Sequence, residues 1–383
     1  MPLLKKLKIW YNFIDGGGIF MQIEALSLHN FRNYDELDFF PQKGFNLIYG
    51  DNAQGKTNLL EAIFLCAFGR SHCTVHDSEL ILIGTDMARV KVKVSSETAG
   101  DHTVCITIGN QNKTVEIDGE KIKRLGDLMG MVKVVMFSPQ SLSLITGSPS
   151  ERRRFFDMGI SQLSKTYFFK LQQYNLALKQ RNALLKSPNA AGYKDYVKTW
   201  DNQLAQAGAY IMNARTRYVD SLRPTIIELH SKLSCGQDEF SIEYVPSVRC
   251  DNPKEIQQVI LDKLADSFDD DIKRGTTYYG IHKDDIATKT NSLDTRIYSS
   301  QGQQRTAALA LKLSEIELIK NANGDTPIVL LDDVFSELDE NRCTALLDSV
   351  SDCQCIFTSA QQYIADLFDV DINMVYCQGG KLS

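Results

Sequence analysis

Residues 50–57 constrain this chain more than any other stretch. Gly50, Asp51, Asn52, Ala53, Gln54, Gly55, Lys56 and Thr57 spell the GxxxxGK[ST] pattern of a phosphate-binding loop. A short apolar run, Phe45 to Tyr49, precedes it. Leu59, Leu60, Ile63, Phe64 and Ala67 follow at helical spacing. Strand, glycine-bounded turn and helix in that order call for an α/β core. The glycines let the backbone curl until its N–H groups face one point, and the helix N-terminus adds partial positive charge. In such a loop Lys56 reaches the β- and γ-phosphates of ATP, Thr57 offers its hydroxyl to Mg²⁺, and Asn58 continues the site.

A magnesium nucleotide also needs an acid at the end of a neighbouring strand. Ile328 to Leu331 form a buried-strand pattern, and Asp332 and Asp333 follow it. Two carboxylates at the edge of a core are costly unless they have partners or a task. Asp332 is read as orienting Mg²⁺ through its waters, and Asp333 as polarising the attacking water. About 275 residues separate Lys56 from Asp332, far more than a compact P-loop core needs. The expected fold is therefore α/β with a split head: a P-loop core plus an antiparallel β subdomain, interrupted by an inserted short helical arm.

The middle of the chain supplies that arm. Leu163, Tyr167, Leu171, Tyr174, Leu178 and Leu185 mark one helical face, and Ser187, Pro188 and Asn189 break it. Trp200, Leu204, Ala207, Ile211, Ala214 and Tyr218 form a second seam. Two helices of about 23 residues predict a hairpin roughly 35 Å long at 1.5 Å per residue. The expected parts are residues 21–150 for the N-terminal head, 151–270 for the arm and 271–383 for the C-terminal head. Residues 1–20 are basic and partly apolar, unlike the clean alternation from Met21 onward, and are read as a dispensable extension.

Composition narrows the class. A hydrophobic fraction of 43% and a charged fraction of 23% are those of an ordinary globular protein, and no apolar run approaches the roughly 20 residues of a membrane helix. Nine scattered cysteines without a CxxC pair argue against zinc and for a reducing cytoplasm. The net charge of −6 hides an asymmetry. From Glu151 to Asp220 there are twelve Arg and Lys against five Asp and Glu. Arg152, Arg153 and Arg154 open this basic segment, and Lys165, Lys179 and Arg181 continue it. Such a segment suits sequence-independent contact with DNA phosphates. The other reading is a solvated helix surface, with some of the three arginines paired to Asp157 or acting inside the head. No helix-turn-helix or aromatic single-strand platform is evident.

Ser299, Ser300, Gln301, Gly302, Gln303 and Gln304 open a helix about thirty residues before the Asp pair. This element resembles the signature motif of the ABC ATPases, with Gln301 in place of a glycine. The resemblance implies that Ser300, Gln301, Gly302 and Gln303 cap the γ-phosphate held by a second subunit. Ser336 to Asp339 resemble the D-loop of that superfamily, and Gln140 resembles its Q-loop residue, reaching towards Mg²⁺. Thr358 and Ser359 stand where many members carry a histidine, which implies a slow ATPase acting as a timer.

Leu28 to Tyr34, Gly50 to Glu61, Gly69 to His72, His282 to Asp285, Tyr298 to Thr306 and Leu330 to Asp339 fall in the order of the bacterial RecF family. Its members form the SMC/Rad50-like branch of the ABC ATPases with a short arm. The resemblance runs from Met21 almost to the last residue. It implies a cytoplasmic, ATP-dependent homodimer that binds duplex DNA at single-strand gaps. With RecR and RecO, such a protein helps load RecA in DNA repair, replication and the SOS response. Cys73 departs from the family pattern, where an arginine often follows Gly-Arg-Ser-x.

Two elements carry open alternatives. Arg32 is read either as a nucleotide contact or as a strand-edge arginine paired with an acid. His282, Lys283, Asp284 and Asp285 lack usable metal spacing, so a structural or allosteric place near a dimer interface is expected. The rival readings are another SMC-like repair ATPase such as RecN or Rad50, whose coiled coils are far longer, an ABC transporter subunit, and a P-loop phosphotransferase.

Overall fold

The computed structural model describes residues 21–110, 112–187, 189, 192, 194–362, 365 and 371–383. The extension at residues 1–20 lies outside them, as does Pro188. The chain divides into two compact units: residues 21–141, 232–236 and 308–383 form the first, and 142–231 with 237–307 the second.

The first unit holds two six-stranded sheets. One runs in spatial order Tyr34–Phe39 (β2), Met21–Phe31 (β1), Met87–Ser96 (β4), His102–Gly109 (β5), Lys113–Ile117 (β6) and Glu120–Lys121 (β7), antiparallel throughout. In β4, Ala88, Val90, Val92 and Val94 are buried while Arg89, Lys91 and Lys93 face outward, the alternation of a sheet with one wet face. The other sheet runs Lys381–Leu382 (β15), Ile372–Gln378 (β14), Phe45–Tyr49 (β3), Cys355–Ser359 (β13), Ile328–Asp332 (β12) and Val134–Phe137 (β8). Its strands are parallel except for β15. Strands β12 and β13 are buried at every position, as the middle of a covered parallel sheet requires. Helix Lys56–Phe68 touches strands of both sheets, and its nearly all-round burial matches the run Leu59 to Phe68. Strands from residues 45–137 and from 328–382 thus share one sheet, which is the split head.

A buried ion pair ties the start of β12 into this unit. Lys133 Nζ lies 2.9 Å from Asp325 Oδ2, with side-chain exposures of 7% and 0%. Ser96 Oγ also donates to the Asp325 carboxylate, at 3.0 Å, and Thr98 donates to it as well.

The second unit is helical with a three-stranded antiparallel sheet, Leu293–Asp294 (β11), Asp285–Thr290 (β10) and Phe240–Val245 (β9). Ser148 and Glu151 form a capping box with Pro149 at the first helical position, which starts helix Pro149–Leu163. Helix Lys165–Leu185 follows, capped by Ser164. The next helix departs from expectation. Lys194–Leu233 spans 40 residues, about 60 Å at 1.5 Å per residue, where about 23 were expected. Beyond Tyr218 the buried face continues through Leu222, Ile226, His230 and Leu233, so packing carries the helix past Pro224. An interior proline costs about 3 kcal/mol, which the three apolar side chains Leu222, Ile226 and Leu233 outweigh. The boundary also differs from expectation, since residues 271–307 pack with the helical unit.

Removing one partner of a buried pair strands the other charge. Asp325→Ala is expected to lower the unfolding free energy by about 3–5 kcal/mol, read from urea denaturation.

Candidate nucleotide site

The loop after β3 is curled by two glycines. Gly50 has φ 151°, and a Cβ there would sit 2.2 Å from the Cys377 carbonyl oxygen. Gly55 has φ 114°, and its Cβ would meet the Asn33 side chain at 2.5 Å. Helix Lys56–Phe68 begins at Gly55 with no side-chain cap and no acid in its first turn. Its N-terminal dipole is therefore open to an anion. Lys56 Nζ donates to the carbonyls of Gly50 (2.6 Å) and Asp51 (2.7 Å), so its ammonium lies against the curl of the loop. Burial pulls the Lys56 ammonium below its ordinary range, opposed by Cys377 and by the Asp333, Asp332 and Asp51 carboxylates. A triphosphate would act in the same sense as those carboxylates.

The acid pair sits where the sequence spacing requires. Parallel pairing sets Leu331 beside both Phe357 and Phe137, so Asp332 and Asp333 leave the sheet at its C-terminal edge. Thr57 Oγ1 donates to Asp332 Oδ1 at 2.9 Å. Thr358 Oγ1 donates to the same oxygen at 2.8 Å and accepts the Asp333 N–H at 3.1 Å. Asp332 Oδ2 has no hydrogen bond among the described residues. A threonine hydroxyl and a carboxylate, both hard oxygens, suit Mg²⁺, so the residues present fit a magnesium nucleotide. Asp333 is exposed at φ 50°; partial desolvation, then the Asp332 charge, raise its carboxyl above the usual range. Gln140 is exposed in the short 3-10 turn Pro139–Leu142, three residues past the end of β8, the strand that pairs with β12.

Sequence reasoning missed the brace beneath the loop. Asn33 Nδ2 donates to the Gln54 carbonyl (2.9 Å), Asn33 Oδ1 accepts from Asn58 Nδ2 (2.8 Å), and the buried Tyr34 hydroxyl donates to the Gly55 carbonyl (3.0 Å). For Arg32 the structure favours the acid-paired alternative over the nucleotide contact. Its Nε and Nη2 bind both oxygens of Glu61 at 2.8 Å, and Nη1 donates to the Glu79 carbonyl. Glu61 is fully buried in the P-loop helix, so its charge needs a fixed cation. A single acid inside the apolar stretch Leu59 to Phe68 was the available signal.

In the second unit, Ser300 and Gln303 cap helix Gln301–Asn323 reciprocally. The Ser300 N–H donates to Gln303 Oε1 (2.9 Å), and the Gln303 N–H donates to Ser300 Oγ (3.3 Å). Gln303 Nε2 is anchored on Asp238, while Ser300 and Gln301 are exposed.

The basic segment divides. Arg181 is fully buried: its Nε lies 2.6 Å from Asp201, and its Nη1 lies 2.7 Å from Asp271. Arg152 is buried and grips both oxygens of Asp285 at 2.7 and 2.8 Å. Neither guanidinium can reach a phosphate, which corrects both expectations. Arg153 is half-buried and donates to the Asp284 carbonyl. Arg154, Lys165 and Lys179 do face outward.

His282 and Asp284 belong to a largely buried polar network, while Lys283 is exposed. Asp284 accepts from Arg215 (3.1 Å), from Tyr244 and from the Ser247 N–H (2.8 Å); Arg215 also holds both oxygens of Asp157. His282 Nδ1 meets the Tyr174 hydroxyl at 2.7 Å and its Nε2 meets the Thr277 carbonyl at 3.1 Å, so the neutral ring carries its proton on Nε2. No group of three or more His, Cys, Asp or Glu among the described residues could hold a metal. No helix among them is long and apolar enough to cross a membrane.

The profile of the RecF/RecN/SMC N terminal domain matches residues 22–382. The chain is 43% identical over 358 residues to the DNA replication and repair protein RecF of Lachnoclostridium phytofermentans, covering 92% of this chain and 96% of that one. The chain belongs to the RecF family. A solved structure of the recombination mediator protein RecF-ATP in the RecFOR pathway superposes with a TM-score of 0.86 at 34% identity, covering 95% and 99% of the two chains. An Smc head domain from Pyrococcus furiosus superposes at 0.56 with 17% identity, over 95% and 96%, and shares the fold. This RecF-family chain is thus built as a split ABC-type ATPase head.

Two outcomes follow from these pairings. Arg32→Ala leaves Glu61 buried without its cation and is expected to cost about 3 kcal/mol of stability, read from the denaturation midpoint. If Arg32 served nucleotide alone, ATP affinity would fall at unchanged stability. Burial holds the His282 imidazole down to about 4, so the native state favours its neutral form. Its contribution is complete above the unfolded value of about 6.5 and is lost as pH falls through that value towards 4. Between pH 7 and pH 4.5 the chain should lose about 2 kcal/mol more than its His282→Gln variant.

Proposed function

We propose that this chain is an ATP-binding protein of DNA replication and repair that closes as a homodimer on DNA when it binds ATP. The observation that carries the reading is the Thr57–Asp332 contact beside an uncapped P-loop helix, in a chain 34% identical to RecF-ATP over 95% of its length. The loop N–H groups and Lys56 bind the phosphates. Mg²⁺, when bound by Thr57 and Asp332, neutralises phosphate charge. Asp333 orients a water for attack, with Gln140 beside it. Ser300, Gly302 and Gln303 of one copy cap the γ-phosphate held by its partner. Exposed Leu293, Ile297 and Tyr298 next to that motif support an interface there.

Duplex DNA at single-strand gaps is the proposed ligand. Arg154, Lys165 and Lys179 remain candidates for phosphate contacts. RecR and RecO are the proposed partners in loading RecA. Thr358, buried against Asp332 where many ABC ATPases carry a histidine, supports slow hydrolysis that resets the dimer. For ATP to switch occupancy decisively it must favour the dimer by several kcal/mol, about 5.5 for a shift from 1:99 to 99:1.

The test is binding of gapped and plain duplexes across a salt series, with and without ATP-Mg²⁺, alongside mass in solution. ATP should yield a dimer with salt-sensitive DNA binding. Lys56→Ala should weaken nucleotide binding by roughly ten- to a hundredfold, as expected for a lost hydrogen-bonded charge, and remove both responses. DNA binding indifferent to ATP, or a monomer with nucleotide bound, contradicts the switch.

A further inference from the structure

The nucleotide loop is held from outside by the turn between β14 and β15. The Gly379 N–H donates to Gln54 Oε1 at 2.7 Å, and the Gly380 N–H donates to the Gln54 carbonyl at 3.2 Å. That carbonyl also receives Asn33 Nδ2, so one oxygen of the loop is gripped from two sides. Gly380 is buried at φ 75°, and a Cβ there would lie 2.4 Å from the Asn33 carbonyl oxygen. The turn therefore fits only because residue 380 has no side chain. Strand β14 pairs with β3, the strand that feeds the loop, and its Cys377 carbonyl closes on Gly50. Asn33, Gln54 and Gly380 thus form one contact set. It joins the β1–β2 turn, the phosphate loop and the β14–β15 turn.

We propose that Asn33 and the Gly379–Gly380 turn are positioning elements for ATP, a latch that keeps the 50–55 loop curved for the triphosphate before it arrives. The inference rests on the nucleotide reading of the loop given above. An anion cradle of backbone N–H groups binds well only if those groups already converge, because ordering them at the moment of binding subtracts from affinity. Lys56 and Thr57 touch the nucleotide and its metal. Asn33 and Gly380 touch neither and act through the loop. Disturbing the latch therefore raises KM and the dissociation constant for ATP, with a much smaller effect on kcat at saturation.

The positions of two glycines allow a matched comparison. Gly119, in the β6–β7 turn, has φ 85°, and a Cβ there meets nothing within 4 Å. Gly119→Ala and Gly380→Ala carry similar backbone strain, but only the second pushes on Asn33. The experiment measures binding of a fluorescent ATP analogue with Mg²⁺, together with KM and kcat, in the full chain. Gly119→Ala, Gly380→Ala and Asn33→Ala are compared with the unmodified protein, with circular dichroism and thermal melting to establish folding. Gly380→Ala and Asn33→Ala are expected to weaken ATP about tenfold, with kcat falling far less than KM rises, while Gly119→Ala binds as the unmodified chain does. A folded Gly380→Ala that binds like Gly119→Ala overturns the latch. If Gly380→Ala does not fold, unchanged affinity in Asn33→Ala overturns it equally. Failure of the unmodified chain to bind ATP-Mg²⁺ is a different result: it removes the nucleotide reading and the latch together.

Discussion

The hydroxyl of Thr57 on the carboxylate of Asp332 joins residues 275 apart in sequence, and the rest of the head is arranged so that they can meet. Strand β13 lies between β3 and β12 and sets both in parallel register, so the loop after β3 and the acids after β12 emerge at one edge. Thr358, at the end of β13, donates to the same carboxylate oxygen. Three strands, two of them contributed from beyond the helical unit, therefore converge on one oxygen. Two hydroxyls hold one oxygen of this carboxylate, which leaves its other oxygen for a metal or water.

Within each unit the protein pairs buried carboxylates with cations. Glu61 has Arg32, Asp325 has Lys133, Asp271 has Arg181, and Asp157 and Asp284 share Arg215. Apolar replacements of similar volume often match or exceed such pairs in stability, so their retention suggests a value in geometry. Arg32 fixes the P-loop helix to the β1–β2 turn and to the Glu79 carbonyl. Arg181 fixes helix Phe268–Arg274 and Thr277 against the arm.

The phosphate loop and the acid pair were legible because their information is local: fixed spacing, a preceding apolar run, a following helical pattern. The split head followed from one long separation. What failed required knowledge of neighbours. A basic residue on a helix reads as a surface group until the acid across from it is known, which is why Arg152 and Arg181 were misassigned as phosphate contacts. The seam of helix Lys194–Leu233 is hard to follow past Tyr218 in sequence because Pro224 suggests an end and His230 interrupts the apolar series. Asn33 and Tyr34 lay inside a stretch already noticed, but their work depends on Gln54 and Gly55, about twenty residues away, whose nearness no spacing rule reveals.

The central claim is that Asp332 completes a magnesium site with Thr57. Calorimetric binding of ATP to Asp332→Asn, in Mg²⁺ and again in excess chelator, tests it most directly. The amide keeps the Thr57 and Thr358 hydrogen bonds available but removes the charge. The account predicts that Mg²⁺ strengthens ATP binding to the unmodified chain, that this gain falls at least about tenfold in the variant, and that both proteins bind alike without the metal. An undiminished Mg²⁺ gain in Asp332→Asn would contradict it.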